Sequence, residues 1–167
     1  IRLALISPIG DAGTEATPPI GLAYLAGVCK SEGVDVNGID AASRNLNKTF
    51  KIPEYNLKGN GLEINEIINL IDTRTEVIGI SSMFSHEWPY VRDCIKLIKD
   101  NFPKVVIFAG GEHVTALPEY CLRDCKAINY ICLGEGEETW SEISKKKKED
   151  NNFDDIAGLA YLKNNNF

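Results

Sequence analysis

The chain predicts an α/β fold, a doubly wound five-stranded parallel sheet with helices on both faces. Three observations predict it. Strand-like stretches recur at 2–7, 34–39, 77–81, 105–109 and 128–133, and β-branched apolar runs such as 105–109 are strands buried on both faces. The stretches between them carry apolar residues at helical spacing. The runs end in glycine-rich loops, most plainly VVIFAGGEHVT at 105–115 and ICLGEGE at 131–137. Uninterrupted alternation of this kind implies parallel strands joined by right-handed crossovers.

The elements follow in order. After the first strand, 8–17 is a loop holding Gly10 and Gly13, and Pro18-Pro19 starts a helix, proline being suited to a first turn. Leu22, Leu25, Ala26 and Cys29 mark that helix's buried stripe and Gly33 its C-terminal cap. The second strand ends at Asp40. Residues 41–61 are polar, without clear period and too long for an ordinary connection, which marks a lid or a disordered segment. Ile64, Ile67, Ile68 and Ile71 give a second helical stripe, and Val91, Cys94, Ile95 and Ile98 a third, on a helix spanning 89–101. Leu117, Cys121, Leu122 and Cys125 mark a fourth helix and 137–144 a fifth. The tail differs: 150–152 reads as linker, 156–162 as a short strand and 164–166 as a turn. The expected division is a cofactor-binding domain over 1–149, with 150–167 leading into a following domain absent from this sequence.

Composition excludes several classes. At 167 residues, 44% of them hydrophobic, the chain fits one domain with a sizeable core. Its net charge of -6 argues against a general nucleic-acid binder. The one basic run, Lys145 to Lys148, reads as the solvated end of a helix. No apolar stretch reaches the length of a membrane span and no secretory pattern opens the chain. The five cysteines are odd in number and sit at apolar positions, as reduced thiols of a cytoplasmic protein do.

Five such strands take the Rossmann-like, flavodoxin-like order 2-1-3-4-5, with a crevice at the carboxyl edge beside the first and third. The loops delivered there are 7–17, 81–86, 110–115 and 133–137. They are small, hydroxylic or glycine, so an extended cofactor can lie against backbone and be held by N–H and hydroxyl groups rather than by charge. Tight turns alone would explain one such loop; four converging loops define a site.

The motifs in these loops carry a resemblance. PPIGLAYLAGVCKSEG at 18–33, ISSMFS at 80–85, GGEHVTALPE at 110–119 and LGEGEETW at 133–140 resemble, in order and spacing, the N-terminal cobalamin-binding domain of cobalamin-dependent radical SAM enzymes. The resemblance covers nearly the whole chain. It implies that cobalamin is the cofactor and that a following radical SAM barrel is the partner. It implies further that any iron–sulfur cluster and S-adenosylmethionine belong to that barrel, with methyl transfer among the reactions. The cofactor-binding positions it implies are Pro18, Ser81, Ser82, Met83, Gly110, Gly111, His113, Thr115, Gly134, Glu135 and Gly136, with the glycine pair and the serines foremost. Filling the space over Gly111 with Gly111→Val is then expected to abolish binding and leave the fold intact. No catalytic or metal-ligating residue is implied within this chain.

Two absences bear on that expectation. Many corrinoid-binding folds carry Asp-x-His-x-x-Gly after the first strand, but this loop, SPIGDAGTEAT, has no histidine to offer to cobalt. Cys121 and Cys125 have the first interval of a Cys-x3-Cys-x2-Cys cluster motif, but Ile128 stands at the third position. Their helical spacing makes them core residues. Phosphotransfer is disfavoured, since Ser81-Ser82 and Leu133-Gly134 stand where a receiver domain needs aspartate and lysine. A flavodoxin-like flavin-binding domain stays open on the small residues of the first loop. Asp11 and Glu15 inside that loop disfavour a phosphate, and paired aromatics are lacking. A non-catalytic interaction domain also stays open, on Trp88 and Trp140 near the ligand edge.

Overall fold

The computed structural model describes residues 2–11, 17–146 and 152–167. Gly13, Glu15, Lys147-Lys148 and Asp150-Asn151 lie outside the described residues, as does the side chain of Asp11. In chain order the elements are β1 (Arg2–Ser7), β2 (Gly10–Asp11), α1 (Ile20–Ser31), β3 (Asp35–Asp40), α2 (Ala41–Arg44), β4 (Thr49–Ile52) and β5 (Leu57–Asn60). There follow α3 (Ile64–Leu70), β6 (Val77–Ser81), α4 (Trp88–Asn101), β7 (Val106–Gly110), α5 (Glu112–Ala116), α6 (Pro118–Asp124), β8 (Tyr130–Cys132), α7 (Glu137–Lys145) and β9 (Leu159–Ala160).

The main sheet runs β3-β1-β6-β7-β8-β9. Its first five strands are parallel and stand in the expected order. Successive residues of β1, β6 and β7 feed opposite cores, as the pleat requires. Ala4, Ile6, Ile78, Ile80, Ile107 and Ala109 face α3, α4, α5 and α6, while Leu3, Leu5, Val77, Val106 and Phe108 face α1 and α7. Both faces of these strands are therefore apolar, and each fully buried aliphatic side chain stabilises by about 2 kcal/mol. Helix starts follow local chemistry: Pro89 and Pro118 occupy first-turn positions, and Glu63 with Glu66 forms a capping box on α3. Gly33, at φ +79, closes α1 as expected, its N–H on the Lys30 carbonyl.

Three features depart from the sequence reading. Residues 41–61 are neither a lid nor formless. They build α2 and a β4–β5 hairpin, which β2 extends into a three-stranded antiparallel sheet. The hairpin turns at Asn56, which takes a left-handed φ of 51°, and packs Ile52 and Phe50 against Tyr90 of α4. Four-residue strands half exposed to solvent leave little periodicity to read. The loop expected at 110–115 coils into a short helix, α5, ahead of α6, which is the expected fourth helix. And the sheet has six strands, because β9 joins β8 antiparallel through Ile131–Ala160 and Cys132–Leu159.

The described part of the tail thus shares the core of the preceding domain. Phe153 is buried edge-on against Phe108, ring centroids 5.2 Å apart, and Tyr130 donates to Asp154 at 2.9 Å. Asn164 and Asn165, both with positive φ, form the expected turn, closed by a Lys163–Asn166 bridge.

Candidate functional site

Parallel pairing brings the carboxyl ends of β6, β7 and β8 to one edge. Ser81 stands opposite Gly110, and the Ser82 N–H donates to the Gly110 carbonyl at 2.7 Å. Beyond this edge the chain leaves a cavity of about 270 Å³ between the sheet, α1 and the start of α7. Phe108 and Trp140 form its floor, their rings 5.5 Å apart. Leu22 and Leu25 of α1 close one side, and the glycine loops form the rim.

Glycine shapes this space in two different ways. A Cβ on Gly110 would find its nearest neighbour, Cys132 Cβ, at 3.8 Å, so the absent side chain is open cavity. Gly111 has φ +110, and a Cβ there would stand 2.6 Å from the Ser82 carbonyl oxygen. That glycine is required by the loop's own conformation. Gly79, inside β6, was not singled out by the sequence reading. A Cβ there would stand 2.6 Å from the Trp140 ring, so Gly79 is what lets Trp140 lie on the sheet. An isolated glycine within a strand marks such a close approach, and this was the legible signal for it.

Of the positions implied by resemblance, Ser81, Met83, Gly110, Gly111, Thr115, Gly134, Glu135 and Gly136 line this cavity together. Thr115 Oγ1 accepts the Gly134 N–H at 3.2 Å and so ties the loop after β7 to the loop after β8. Pro18 lies in a second cavity of about 280 Å³, above the ends of β1 and β3, which shares Ser81 and Met83 with the first. Ser82 lies behind the rim, 1% exposed, and its hydroxyl has no hydrogen-bond partner among the described residues. His113 is also behind the rim, 5% exposed, with Nδ1 2.9 Å from Ser85 Oγ. The sequence places Trp140 near the ligand edge but gives no sign that Phe108 joins it as the floor or that Leu22 and Leu25 close one side, because apolar residues of buried elements look alike until packed. Trp88 and Trp140 are both buried, so neither presents a surface to a partner.

The electrostatics are those of a neutral slot with an acidic lip. Glu112, Glu135 and Glu137 stand at the rim, and among the described residues no lysine or arginine lines the first cavity. Burial pushes the Cys132 thiol at its edge above the usual range. Among the described residues no cluster of three or more His, Cys, Asp or Glu is placed to hold a metal, and Cys121 and Cys125 are core. Nor, among those residues, is any helix long and apolar enough to cross a membrane.

An open, doubly wound sheet with a slot at the carboxyl ends of its strands defines a cofactor-binding α/β domain. Residues 7–144 match the sequence model of the B12 binding domain, and the chain belongs to that family. It is 32% identical over 147 residues to the uncharacterized methyltransferase PH0819 of Pyrococcus horikoshii, covering 88% of this chain and 28% of that protein. It is 29% identical over 150 residues to cytidylyl-2-hydroxyethylphosphonate methyltransferase of Streptomyces wedmorensis, covering 87% of this chain and 27% of that protein. The fold is similar to that of the cobalamin-dependent S-adenosylmethionine radical enzyme OxsB, solved with aqua-cobalamin and S-adenosylmethionine bound. The TM-score is 0.72 at 21% identity, over 97% of this chain and 21% of that one. The chain therefore spans little more than a quarter of the curated relatives it matches.

The residues present fit the cofactor of the family. A cobalamin tail needs a slot between backbone segments, and Gly110 leaves one open where any other residue would put a side chain. An apolar, aromatic floor suits a flat heterocycle.

Proposed function

We propose that this chain is the cobalamin-binding part of a larger radical SAM enzyme of the methyltransferase kind. The open space over Gly110, floored by Phe108 and Trp140, is the observation that carries the reading. The names of the two curated relatives and of the OxsB structure support it. In this reading Ser81, Met83, Gly110, Gly111, Thr115 and the Gly134-Glu135-Gly136 loop hold the nucleotide tail. Ser82 offers a buried hydroxyl behind them. Pro18 borders the space toward the corrin ring. When bound, cobalamin supplies cobalt-centred methyl-transfer chemistry. The chain's own residues bind the tail, exclude water from it and orient the ring toward a following radical SAM barrel.

That barrel would hold the iron–sulfur cluster and S-adenosylmethionine, and the tail that follows residue 149 would lead toward it after packing Phe153 and β9 on the cofactor domain. By itself the domain binds the cofactor and catalyses nothing. Five buried, unpaired thiols suit a reducing compartment, and the cytoplasm is the proposed location.

Titration with hydroxocobalamin, followed by absorbance and co-elution in gel filtration, tests the reading. Equimolar retention of cobalamin with no retention of flavin mononucleotide is expected. Retention of the flavin alone would overturn it.

A further inference from the structure

The turn at 82–87 separates the two cavities, and Met83 borders both. Three bonds tie it to the neighbouring loop. Two are backbone bonds, Ser82 N–H to the Gly110 carbonyl at 2.7 Å and His113 N–H to the Ser82 carbonyl at 3.2 Å. The third joins side chains, His113 Nδ1 and Ser85 Oγ, 2.9 Å apart. On its other side the ring reaches Cys121 Sγ through Nε2 at 3.5 Å, and it packs on Trp88 with centroids 5.1 Å apart. Trp88 is held in turn by Asp124, which accepts its Nε1–H at 3.0 Å. A neutral imidazole has one donor and one acceptor nitrogen, and both are engaged here. The ring is therefore spent on protein contacts, although it lies in the motif next to the paired glycines.

We propose that His113 is a positioning residue for the cofactor site: by holding Ser85 it fixes the 82–87 turn, and with it Met83, as the wall shared by the two cavities. This rests on the cobalamin-binding reading and gives His113 a role without cofactor contact. Burial supports it from a second side, holding the His113 pKa below the ordinary value and the Cys121 thiol up at about 12, so that both groups stay neutral.

Three variants test it. Ser85→Ala removes the partner at an exposed position, His113→Phe keeps the ring volume without nitrogen, and His113→Asn restores a polar group where Nδ1 stood. Loss of one neutral hydrogen bond corresponds to about a fivefold change in affinity. Ser85→Ala and His113→Phe are each expected to weaken hydroxocobalamin binding by about that factor. The double variant should bind no more weakly than either, and His113→Asn should recover most of the loss. Met83 is the only methionine in the chain, so its methyl resonance reports the turn without cobalamin. It should shift and narrow in Ser85→Ala and return toward the parent position in His113→Asn. An unmoved Met83 resonance in Ser85→Ala, or additive affinity losses, would overturn the inference. If the parent chain bound no cobalamin while Met83 still moved, the functional reading would fail, and with it the role toward the cofactor, although His113 would still be the residue that holds the turn. Should His113→Phe fail to fold, Ser85→Ala and His113→Asn carry the test.

Discussion

At the scale of single residues, the paired glycines separate cleanly. Gly110→Val places its side chain in open space without backbone strain, so cobalamin affinity should fall at least about tenfold while stability changes by less than about 1 kcal/mol. Gly111→Ala meets both a positive φ and a backbone oxygen and should cost about 1–3 kcal/mol in urea denaturation. Gly111→Val is therefore expected to damage the fold as well as binding, contrary to the expectation drawn from sequence, and Gly110 is the position that tests the slot. The buried thiols make a separate prediction. Burial raises Cys94 and Cys121 from 9.0 to about 12. A folded-state pKa above the unfolded one adds stability that is complete below the unfolded value. That stability is lost as pH rises through the folded value. Denaturation midpoints should therefore fall steadily between pH 9 and 12, and both thiols should resist alkylation of the native chain at pH 8.

At the scale of elements, the informative piece is the tail strand, legible in the sequence at 156–162 but not as a member of the main sheet. β9 is two residues long, yet it brings Phe153 into contact with Phe108 and Tyr130. Phe108 is also the cavity floor. Phe153→Ala should cost about 3–5 kcal/mol by calorimetry, as expected for a large side chain removed from a packed core. Gly79→Ala makes the opposite error. Its Cβ would stand 2.6 Å from Trp140 and 2.8 Å from Leu5, and overpacking of this kind costs about 1–3 kcal/mol. Because Trp140 would have to move off the sheet, cobalamin affinity should drop in the same variant. An unchanged Kd in Gly79→Ala would show that the floor has no part in binding.

For the whole molecule, binding and stability are linked. A ligand that binds only the folded chain, present at a hundred times its Kd, stabilises by about 2.7 kcal/mol. Excess hydroxocobalamin should raise the parent's thermal midpoint accordingly and that of Gly110→Val by no more than about half as much. An equal rise in both proteins would remove the slot from the binding site.

The five parallel strands and their order could be read directly from residues 2–133, because buried strands and amphipathic helices write different periods into a sequence. The rim could be read too, since glycine and hydroxyl residues after strands are local signals. What only the tertiary structure decided was which of these residues share a space. Packing put Trp140 over Gly79, turned His113 away from the slot, joined β9 to the sheet and folded 41–61 into a hairpin against α4. Each of those outcomes depends on contacts between residues far apart in the chain, where a local pattern carries no information about the partner.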